Sequence, residues 1–384
     1  MEDFTDAADR RAYAEALDAL CGKHVTPEAV RDWDTEARLP TEALDALAAA
    51  GWGALAVPSA DGGSGGSARD LVVLHRTLAR HGLAVAQAVY SLWTLPAEAI
   101  ARLGSAEQRA RWLPALAAGE ALLGFALTEP EAGSDAAALR TRAERRDERL
   151  VINGQKVFIT GAAVADALIV AVRTGAATER RQDGISLVLV ERGTAGLHVA
   201  PLKKVGLRAL DLCEVFFEDV EVPLDAVLGP LDGGWAAMRP GLALERTLLA
   251  AICVGATEQV LELCAEHARE RRAFGRPIGG FQLVADKLVE MRVDLAAGEL
   301  LVDAAALAID AGDAGAALRA SIAKLHASRA YADAAREGVQ VFGGYGYTEE
   351  YPVARHYRDA KFMEIGGGTS EIQKVVIARS LGLS

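Results

Sequence analysis

Cysteine is scarce in this chain, and its few cysteines are too scattered to form a metal site. The four positions show no paired spacing of the kind that metal-binding cysteines have. We interpret them all as packed free thiols: Cys21, Cys213, Cys253 and Cys264.

Long apolar runs are also absent. Hydrophobic residues make up 51% of the chain, yet no uninterrupted run approaches the ~20 residues of a membrane span. The first residues, Met1 to Asp6, are acidic and polar, whereas a secretory signal begins basic and continues apolar. We therefore expect a soluble, cytoplasmic protein without a membrane span or an export segment.

The chain has no excess of positive charge. Lys and Arg number 41 against 53 Asp and Glu, which gives a formal net charge of −12. This balance argues against nucleic acid as the main partner, although a local basic patch would be compatible with it. It also favours solubility.

Three compositional zones divide the 384 residues, a length for which two or three packed domains are expected. Apolar residues recur at helical spacing in residues 1–120 and again in 229–384. Residues 121–228 contain short apolar or alternating runs separated by turn residues, a pattern typical of strands. The sequence therefore predicts an α+β protein with an N-terminal helical domain, a middle β domain and a C-terminal helical bundle.

Turn-forming residues mark several boundaries inside these zones. Pro58 to Ser67 is predicted to be a flexible surface loop between two helices, and Thr174 to Gly184 a charged surface loop. Asn153-Gly154 predicts the tight turn of a hairpin, with one strand before it and Gln155 to Thr160 after it. Further strands are predicted over Ala167 to Val172, Ile185 to Val190 and Val215 to Val222.

A glycine-rich segment near the end of the chain, Gly366-Gly367-Gly368, leads into a predicted helix. Successive glycines let backbone N–H groups turn toward one point, and the helix start adds unpaired donors. An anion or an enolate oxygen could be held there. Ser370 and Gln373 fit a capping box. The alternative is an ordinary loop before a terminal helix.

A second polar segment, Phe125 to Asp135, lies at the junction between the helical and β zones. Its hydroxyls, backbone amides and Gly133 could form a polar cradle, or a simple turn with capping side chains. This segment resembles the first signature of the acyl-CoA dehydrogenase family of flavoenzymes.

Further motifs extend this resemblance, in matching order, along essentially the whole chain. They are Val57-Pro58 with Gly62-Gly63, Gly104 with Glu107-Gln108 and Leu113-Pro114, Asn153 to Lys156 with Ile159-Thr160, Phe217 to Val220 with Val222-Pro223, Arg271 with Phe274 to Ile278 and Phe281-Gln282, Gln340 with Gly343-Gly344, Tyr351-Pro352, and Arg358 to Lys361. The resemblance implies the acyl-CoA dehydrogenase fold, in which the middle domain is a β-sandwich or barrel and the C-terminal domain a four-helix bundle.

The resemblance also implies FAD as cofactor, bound between the β domain and the C-terminal bundle. The residues expected around the isoalloxazine are Leu127, Thr128, Ser134, Phe158 and Thr160, with Thr369 and Glu371 approaching from the glycine-rich segment. A neighbouring subunit is expected to meet the pyrophosphate and adenosine half through Arg271, Phe274, Ile278, Gln282, Gln340 and Gly344. The cofactor site would then need at least a dimer, and a dimer of dimers is the family expectation.

The resemblance further implies a glutamate that removes the α-proton of a thioester substrate. Many family members carry it immediately before the Gly-Thr of the glycine-rich segment, but that position is Gly367 here. Others, including isovaleryl-CoA dehydrogenase, carry it in a Leu-Glu-Arg sequence, which Leu244-Glu245-Arg246 matches. We therefore predict Glu245 as the general base. The alternative is an exposed Glu-Arg pair on a helix.

Substrate contacts are expected from Phe125, Ser134, Arg246 and Gly367. The backbone N–H of Gly367 would hydrogen-bond the thioester oxygen together with a flavin ribityl hydroxyl, as in an oxyanion hole. Electron-transferring flavoprotein is the expected electron acceptor.

Three departures from the family pattern leave the carrier and the oxidant open. Ala243 stands where an Asp often helps to hold the pantetheine arm. The usual Arg-x-Ser-x-Thr is Arg208-Ala209-Leu210-Asp211-Leu212, and Phe158 replaces a Trp beside the flavin. The alternatives are a dehydrogenase or oxidase acting on a thioester tethered to a carrier protein, or a protein that only binds a thioester.

Overall fold

The computed structural model describes residues 4–176 and 178–383. The first part of the acidic N-terminal segment, Met1 to Asp3, lies outside the described residues, as do Ala177 in the charged loop and Ser384. Side chains are described from Asp9 onward, apart from these positions.

The N-terminal zone is helical, as predicted. Its helices are α1 (Phe4–His24), α2 (Pro27–Glu36), α3 (Thr41–Ala49), α4 (Ala68–His81), α5 (Leu83–Val89), α6 (Leu95–Leu103) and α7 (Ala106–Ala117). Capping boxes begin two of them, because Ser67 pairs with Asp70 and Ser105 with Gln108. A π-helical turn, Tyr90–Thr94, joins α5 to α6 without a break in helical backbone angles.

The segment from Pro58 to Ser67 joins two helices, as predicted, but it is not a free loop. It contains a 3₁₀ turn, Ser59–Asp61. The backbone N–H groups of Ser64 and Gly65 donate to carbonyls of the preceding segment at 2.9 Å. Hydrogen bonds therefore hold its shape, which the run of small polar residues did not reveal.

The middle zone is a β domain. Its strands are β1 (Leu123–Ala126), β2 (Arg142–Arg146), β3 (Arg149–Thr160), β4 (Ala167–Arg173), β5 (Ile185–Glu191), β6 (Leu197–Pro201), β7 (Leu212–Pro223) and β8 (Val227–Leu228). Within the described residues they pair in the order β6-β7-β3-β2-β4-β5-β8, with β1 parallel to β4. One residue pair, Arg142 with Arg173, joins β2 to β4, and both halves of the sheet enclose one apolar core.

The predicted hairpin turn at Asn153-Gly154 is wrong. Both residues lie inside β3, where the register against β7 shifts between Ile152 and Gly154, which marks a β-bulge. The turn between β2 and β3 falls at Asp147, whose φ is 52°. Gly154 has φ 146°, and a Cβ there would lie 2.6 Å from Thr141 Oγ1. Glycine serves this close approach of two strands rather than a turn.

The C-terminal zone returns to helices. It contains α8 (Gly234–Met238), α9 (Gly241–Glu270), the two-residue strands β9 (Arg272–Ala273) and β10 (Arg276–Pro277), α10 (Gln282–Asp310), α11 (Ala316–Phe342), α12 (Pro352–Ile365) and α13 (Ser370–Ser380). Helix α9 packs against α10, α11 and α12, and also against α4 of the N-terminal zone. One continuous apolar core therefore includes residues of both helical zones.

Helix α9 is long and apolar enough to cross a membrane, but 67% of its most apolar window is buried inside the protein. Within this protein it packs at the centre of the C-terminal helices. The cysteine prediction is confirmed, since all four thiols are free and buried. Burial raises the pKa of Cys264 to about 12, so this thiol is inert at neutral pH.

Candidate functional site

Glu245 lies near the start of α9 and is half-buried. Burial raises the pKa of its carboxyl group, and Glu98 on α6 adds to this effect. Three groups oppose it: the Arg246 guanidinium, the Tyr90 hydroxyl and the Lys324 ammonium. The net pKa lies above the ordinary value of a glutamate, which brings the group nearer to the strength that a general base needs at neutral pH.

The glycine-rich segment follows α12 and has a backbone that suits glycine. Gly367 and Gly368 have φ of 64° and 84°, angles that other residues adopt only with strain. Two buried side chains fix the segment. Lys324 Nζ donates to Gly368 O at 2.8 Å, and Gln373 Nε2 donates to Gly367 O at 3.2 Å and to Gly368 O at 2.9 Å.

The predicted capping box of Ser370 and Gln373 is wrong. Thr369 is the N-cap of α13, and its hydroxyl accepts from Ile372 N at 3.2 Å. The side chain of Gln373 turns back to the glycine carbonyls instead. Threonine and serine are adjacent and both favour the N-cap position, so the sequence did not distinguish them.

Glu245 and Gly367 come together, although they are far apart in sequence. A Cβ built on Gly367 would lie 3.7 Å from Glu245 Oε1 and would overlap Leu249 Cδ1. The site therefore excludes a side chain at position 367 and places a carboxylate from α9 beside the same point. This arrangement fits the prediction that Glu245 on α9 is the base and that position 367, a glycine here, is not.

A buried ion pair holds the turn that follows β1. Lys156 is fully buried on β3, and its ammonium donates to Glu129 Oε1 at 2.7 Å and to Leu127 O at 2.9 Å. The carboxylate of Glu129 also accepts from Arg140 N at 2.6 Å and from Thr141 N at 2.9 Å. The predicted polar cradle is therefore a hydrogen-bonded turn, and its backbone is held in one shape.

The pair shifts both pKa values. Burial, which by itself would raise the pKa of Glu129, is outweighed by the charge and hydrogen bond of Lys156 and by hydrogen bonds from Thr141 and the Arg140 amide, so the net pKa is lowered. Burial lowers the pKa of Lys156 to about 8 against the opposing effect of Glu129. At neutral pH the pair remains charged.

Four of the residues predicted around the isoalloxazine lie at the ends of β1 and β3. Leu127 and Thr128 follow β1 and are half-buried, and Thr128 O accepts from Val157 N at 2.9 Å. Phe158 and Thr160 end β3. Phe158 has φ 60° and is 60% exposed, at a point where the register against β7 shifts. An exposed aromatic ring held in this unusual conformation suits contact with a flat ligand.

The other predicted site residues differ in how far they are enclosed. Ser134 is exposed in the loop after the turn, and Phe125 is half-buried in β1. Thr369 is half-buried at the start of α13, and Glu371 in the first turn is exposed. Arg246 donates to Ser321 Oγ at 3.3 Å.

The residues predicted to reach a neighbouring subunit lie at the ends of three helices, α9, α10 and α11. Arg271 and Phe274 follow α9, and the Arg271 guanidinium lies 5.3 Å from the ring centre of Tyr345. Phe274 is 95% exposed with φ 51°. A Cβ on Gly344 would meet no atom within 4 Å. The other members of this group are Ile278, which is half-buried, and Gln282 and Gln340, which are exposed.

These features fit an FAD. The guanidinium of Arg271 can pair with a pyrophosphate, the open backbone at Gly344 leaves room for a close approach, and Phe158 and Phe274 offer rings for packing. Among the described residues, no group of three or more His, Cys, Asp and Glu side chains could hold a metal ion.

The segment that departs from the family pattern is packed inward. Ala209 and Leu210 are 3% and 1% exposed, and Arg208 pairs with Glu349 at 3.1 Å. Leu210 therefore belongs to the core rather than to a polar binding surface. Ala243 is half-buried and joins the apolar core.

Sequence reasoning missed two residues beside Glu245. Tyr90, in the π-helical turn, opposes the rise in the pKa of Glu245, and Lys324 reaches the glycine-rich segment from α11. Lysine is almost never fully buried without a partner, so its place in the apolar run of α11 was a usable signal. Nothing in the local sequence of Tyr90 pointed to Glu245.

Comparison with known protein families gives matches along nearly the whole chain. Residues 7–120, 124–220 and 232–382 match the models of the acyl-CoA dehydrogenase N-terminal, middle and C-terminal domains, respectively.

Individual relatives agree with these matches. The mitochondrial isovaleryl-CoA dehydrogenase of Pongo abelii is 33% identical over 374 residues, which cover 97% of this chain and 88% of the relative. The structure of butyryl-CoA dehydrogenase from Megasphaera elsdenii has a TM-score of 0.92 at 33% identity and covers 97% of each chain. The prolyl acyl carrier protein oxidase AnaB also has a TM-score of 0.92, at 28% identity, and covers 98% of this chain and 99% of its own.

Proposed function

This chain belongs to the acyl-CoA dehydrogenase family, and we propose that it oxidises an acyl-CoA thioester to the trans-2-enoyl thioester. It is a flavin-dependent oxidoreductase with FAD as its cofactor. The observation that carries the proposal is the carboxylate of Glu245 beside the backbone of Gly367. A carboxylate base beside a backbone that can donate an N–H suits the removal of a proton next to a carbonyl group.

In the proposed reaction, the Cα–H bond breaks and its proton passes to a Glu245 carboxylate oxygen. The N–H of Gly367 donates to the thioester oxygen and stabilises the charge that develops there. Bound FAD supplies the acceptor for the hydride that leaves the β carbon, and a double bond forms between the two carbons. Lys324 and Gln373 hold the glycine carbonyls, which keeps the N–H donor in place.

The partners are proposed on the same basis. Electron-transferring flavoprotein would take the electrons from the reduced enzyme. A homo-oligomer would complete the FAD site, because Arg271 and Phe274 are exposed in the single chain. Large apolar side chains on α10 are also exposed and would suit contact between subunits: Leu283, Val289, Val293, Leu300 and Leu307.

The second candidate is oxidation of a thioester tethered to a carrier protein. Two observations favour it: the absence of polar side chains at Ala243 and Leu210, and the similarity to a prolyl acyl carrier protein oxidase. A protein that only binds a thioester ranks last, because such a protein would not need a carboxylate placed beside Gly367.

The test of the base is Glu245→Gln, which keeps the shape of the side chain but cannot accept the proton. We expect the variant to retain FAD and to lose at least about three orders of magnitude in the rate of flavin bleaching by a thioester under anaerobic conditions, about 4 kcal/mol of activation free energy. Glu364→Gln is the matched control, because Glu364 also lies near the glycine-rich segment but pairs with Lys361 at 2.9 Å. Wild-type bleaching by Glu245→Gln would exclude the proposed base.

A further inference from the structure

An ion pair on α6 lies over the first residue of α9. Glu98 Oε1 accepts from Arg102 Nε at 2.7 Å, and both side chains are partly exposed. A Cβ built on Gly241 would lie 2.9 Å from Glu98 Oε2 and 3.0 Å from Arg102 Nη2. Glycine at position 241 therefore leaves the space that the ion pair occupies.

Helix geometry brings this pair close to the proposed base. Gly241 and Glu245 are four residues apart on α9, so they share one face of the helix and lie about 6 Å apart along its axis. Side chains on a helix also lean toward its N-terminus, which directs Glu245 toward the turn that contains Gly241. The charge of Glu98 contributes to the raised pKa of Glu245, in agreement with this short separation.

The burial of α9 shows which end of the site is open. Residues 247–257 are all buried and residues 242–246 are half-buried, whereas Arg239 and Pro240, just before the helix, are exposed. An apolar acyl chain suits the buried end, beyond Glu245. The polar carrier arm of a thioester would then leave past the start of α9, where Glu98 lies.

The hydrogen bonds of the ion pair leave one acceptor available. Arg102 donates from Nε to Glu98 Oε1 and from Nη1 to the backbone carbonyl of Ala237. Its contact with Glu98 Oε2 is long, at 3.4 Å, and a hydrogen bond of that length is weak. Glu98 Oε2, the carboxylate oxygen nearer to Gly241, can therefore accept a hydrogen bond from a ligand.

We propose that Glu98 binds the pantetheine arm of the substrate, with Oε2 accepting from the amide N–H nearest the thioester sulfur. This inference rests on the proposed function, in which the thioester oxygen lies at Gly367. Two carbons separate the sulfur from that nitrogen, a reach that matches the single turn of α9 between Glu245 and Gly241. Ala243 has no hydrogen-bonding side chain, so α6 supplies the acceptor. Coenzyme A and carrier proteins present the same arm, and the contact would serve both.

A ligand that cannot react tests this contact by itself. S-hexyl pantetheine is a thioether without the thioester carbonyl, so the FAD-loaded enzyme cannot dehydrogenate it. An ester in place of the amide nearest the sulfur removes the N–H donor and keeps the shape. In calorimetric titrations, the wild type should bind the amide at least about tenfold more tightly than the ester, because the ester cannot donate to the charged acceptor.

Three variants complete the test. Glu98→Met keeps the length of the side chain without the carboxylate, so it should bind the amide and the ester with nearly equal affinity. Glu107→Met is the matched control, because Glu107 on α7 is exposed and its carboxylate accepts from Ser105 Oγ at 2.8 Å. It should keep the wild-type preference. Gly241→Ala retains Glu98 but displaces its carboxylate, so it should also reduce the preference.

The outcomes separate this inference from the proposed function. If Glu98→Met keeps the wild-type preference for the amide, the role of Glu98 is wrong, whether or not acyl-CoA bleaches the flavin. Lower stability of Glu98→Met with an unchanged preference would show that the ion pair is only structural. If the thioether binds with the expected preference but no thioester bleaches the flavin, the proposed function is wrong and the contact stands. If the wild type binds neither ligand, both are wrong.

Discussion

At the scale of single residues, the site depends on charges that are buried and paired. Lys156 and Glu129 illustrate this, since both side chains are almost fully enclosed and each has further hydrogen bonds to the backbone. Removal of one member of a buried pair leaves the other charge without a partner, which is far more costly than loss of a surface pair.

Lys156→Met should therefore lower the free energy of unfolding by about 3–5 kcal/mol, measured in urea. The control is Arg140→Ala, which breaks the exposed pair of Arg140 with Glu131 and should cost less than about 1 kcal/mol. Equal effects of the two variants would show that the buried pair stabilises the fold no more than a surface pair does.

The sequence predicted Glu245 but not Tyr90, and the reason is physical. Glu245 was predicted because Leu244-Glu245-Arg246 matches a short motif of the family. The glycine at position 367 excluded the other position at which the family carries the base. The position of Tyr90 depends on a π-helical turn and on the packing of α5 against α9. Hydrophobic periodicity carries no signal for such a turn, so only the folded chain shows that Tyr90 acts on the pKa of Glu245.

At the scale of elements, the glycine-rich segment depends on a helix far away in sequence. Lys324 on α11 is 1% exposed, and its ammonium bonds the carbonyl of Gly368. The segment itself has positive φ at two glycines, so its own backbone preferences do not hold it in one shape.

Lys324→Met should loosen the segment. Loss of a charge-assisted hydrogen bond should raise the rate of amide hydrogen exchange in the peptide that covers residues 362–373 by about tenfold or more. Lys374→Met, at a half-exposed position of α13, is the control and should leave this peptide unchanged. Unchanged exchange in Lys324→Met would mean that Gln373 alone fixes the segment.

Most elements could be predicted from the sequence, and the failures have specific causes. Strands β4, β5 and β7 lie where the alternating runs predicted them. Asn153-Gly154 carries the strongest local signal for a tight turn, yet tertiary pairing places it within β3 as a bulge against β7, with Gly154 close to Thr141 on its other side. The hydrogen bonds of β3 with both β2 and β7 therefore outweigh the local preference of Asn-Gly for a turn.

At the scale of the whole molecule, one cluster of charges ties the three zones together. Arg358 on α12 pairs with Asp34 on α2 at 2.5 Å. Asp359 accepts from the backbone N–H of Leu207, in the middle domain, at 2.6 Å. Burial raises the pKa of Asp359 to about 6, against the opposing effects of the Leu207 amide and of Arg355.

This raised pKa predicts a pH-dependent stability. The folded state binds a proton at Asp359 more readily than the unfolded chain, so this residue's contribution to stability falls as pH rises from about 4 to about 6. Asp359→Asn removes that loss and keeps an oxygen for the Leu207 amide. Relative to wild type, the variant should therefore gain about 2 kcal/mol of unfolding free energy between pH 4 and pH 7.

Urea unfolding at the two pH values measures this gain. Asp45→Asn, at an exposed position of α3, controls for the loss of one negative charge. If Asp359→Asn gains no more unfolding free energy than Asp45→Asn, ionisation of the Asp359 carboxyl does not destabilise the folded state.

The order of the zones could be predicted from the sequence, but the packing of the two helical zones into one core could not. Periodicity predicted helices, then strands, then helices. It could not show that α4 and α9 share one core across the intervening β domain, because contacts between segments so far apart leave no local pattern. The same limit applies to the meeting of Glu245 with Gly367, which only the family resemblance anticipated.

The central claim is that this molecule dehydrogenates an acyl thioester, and anaerobic titration of the FAD-loaded wild type tests it most directly. A panel of acyl-CoA thioesters of different length and branching is added while the visible absorption of the flavin is followed. The account predicts that at least one acyl-CoA bleaches the flavin with formation of an equivalent amount of enoyl thioester. A protein that binds FAD fully, yet is bleached neither by any acyl-CoA nor by thioesters on a carrier protein, would contradict it.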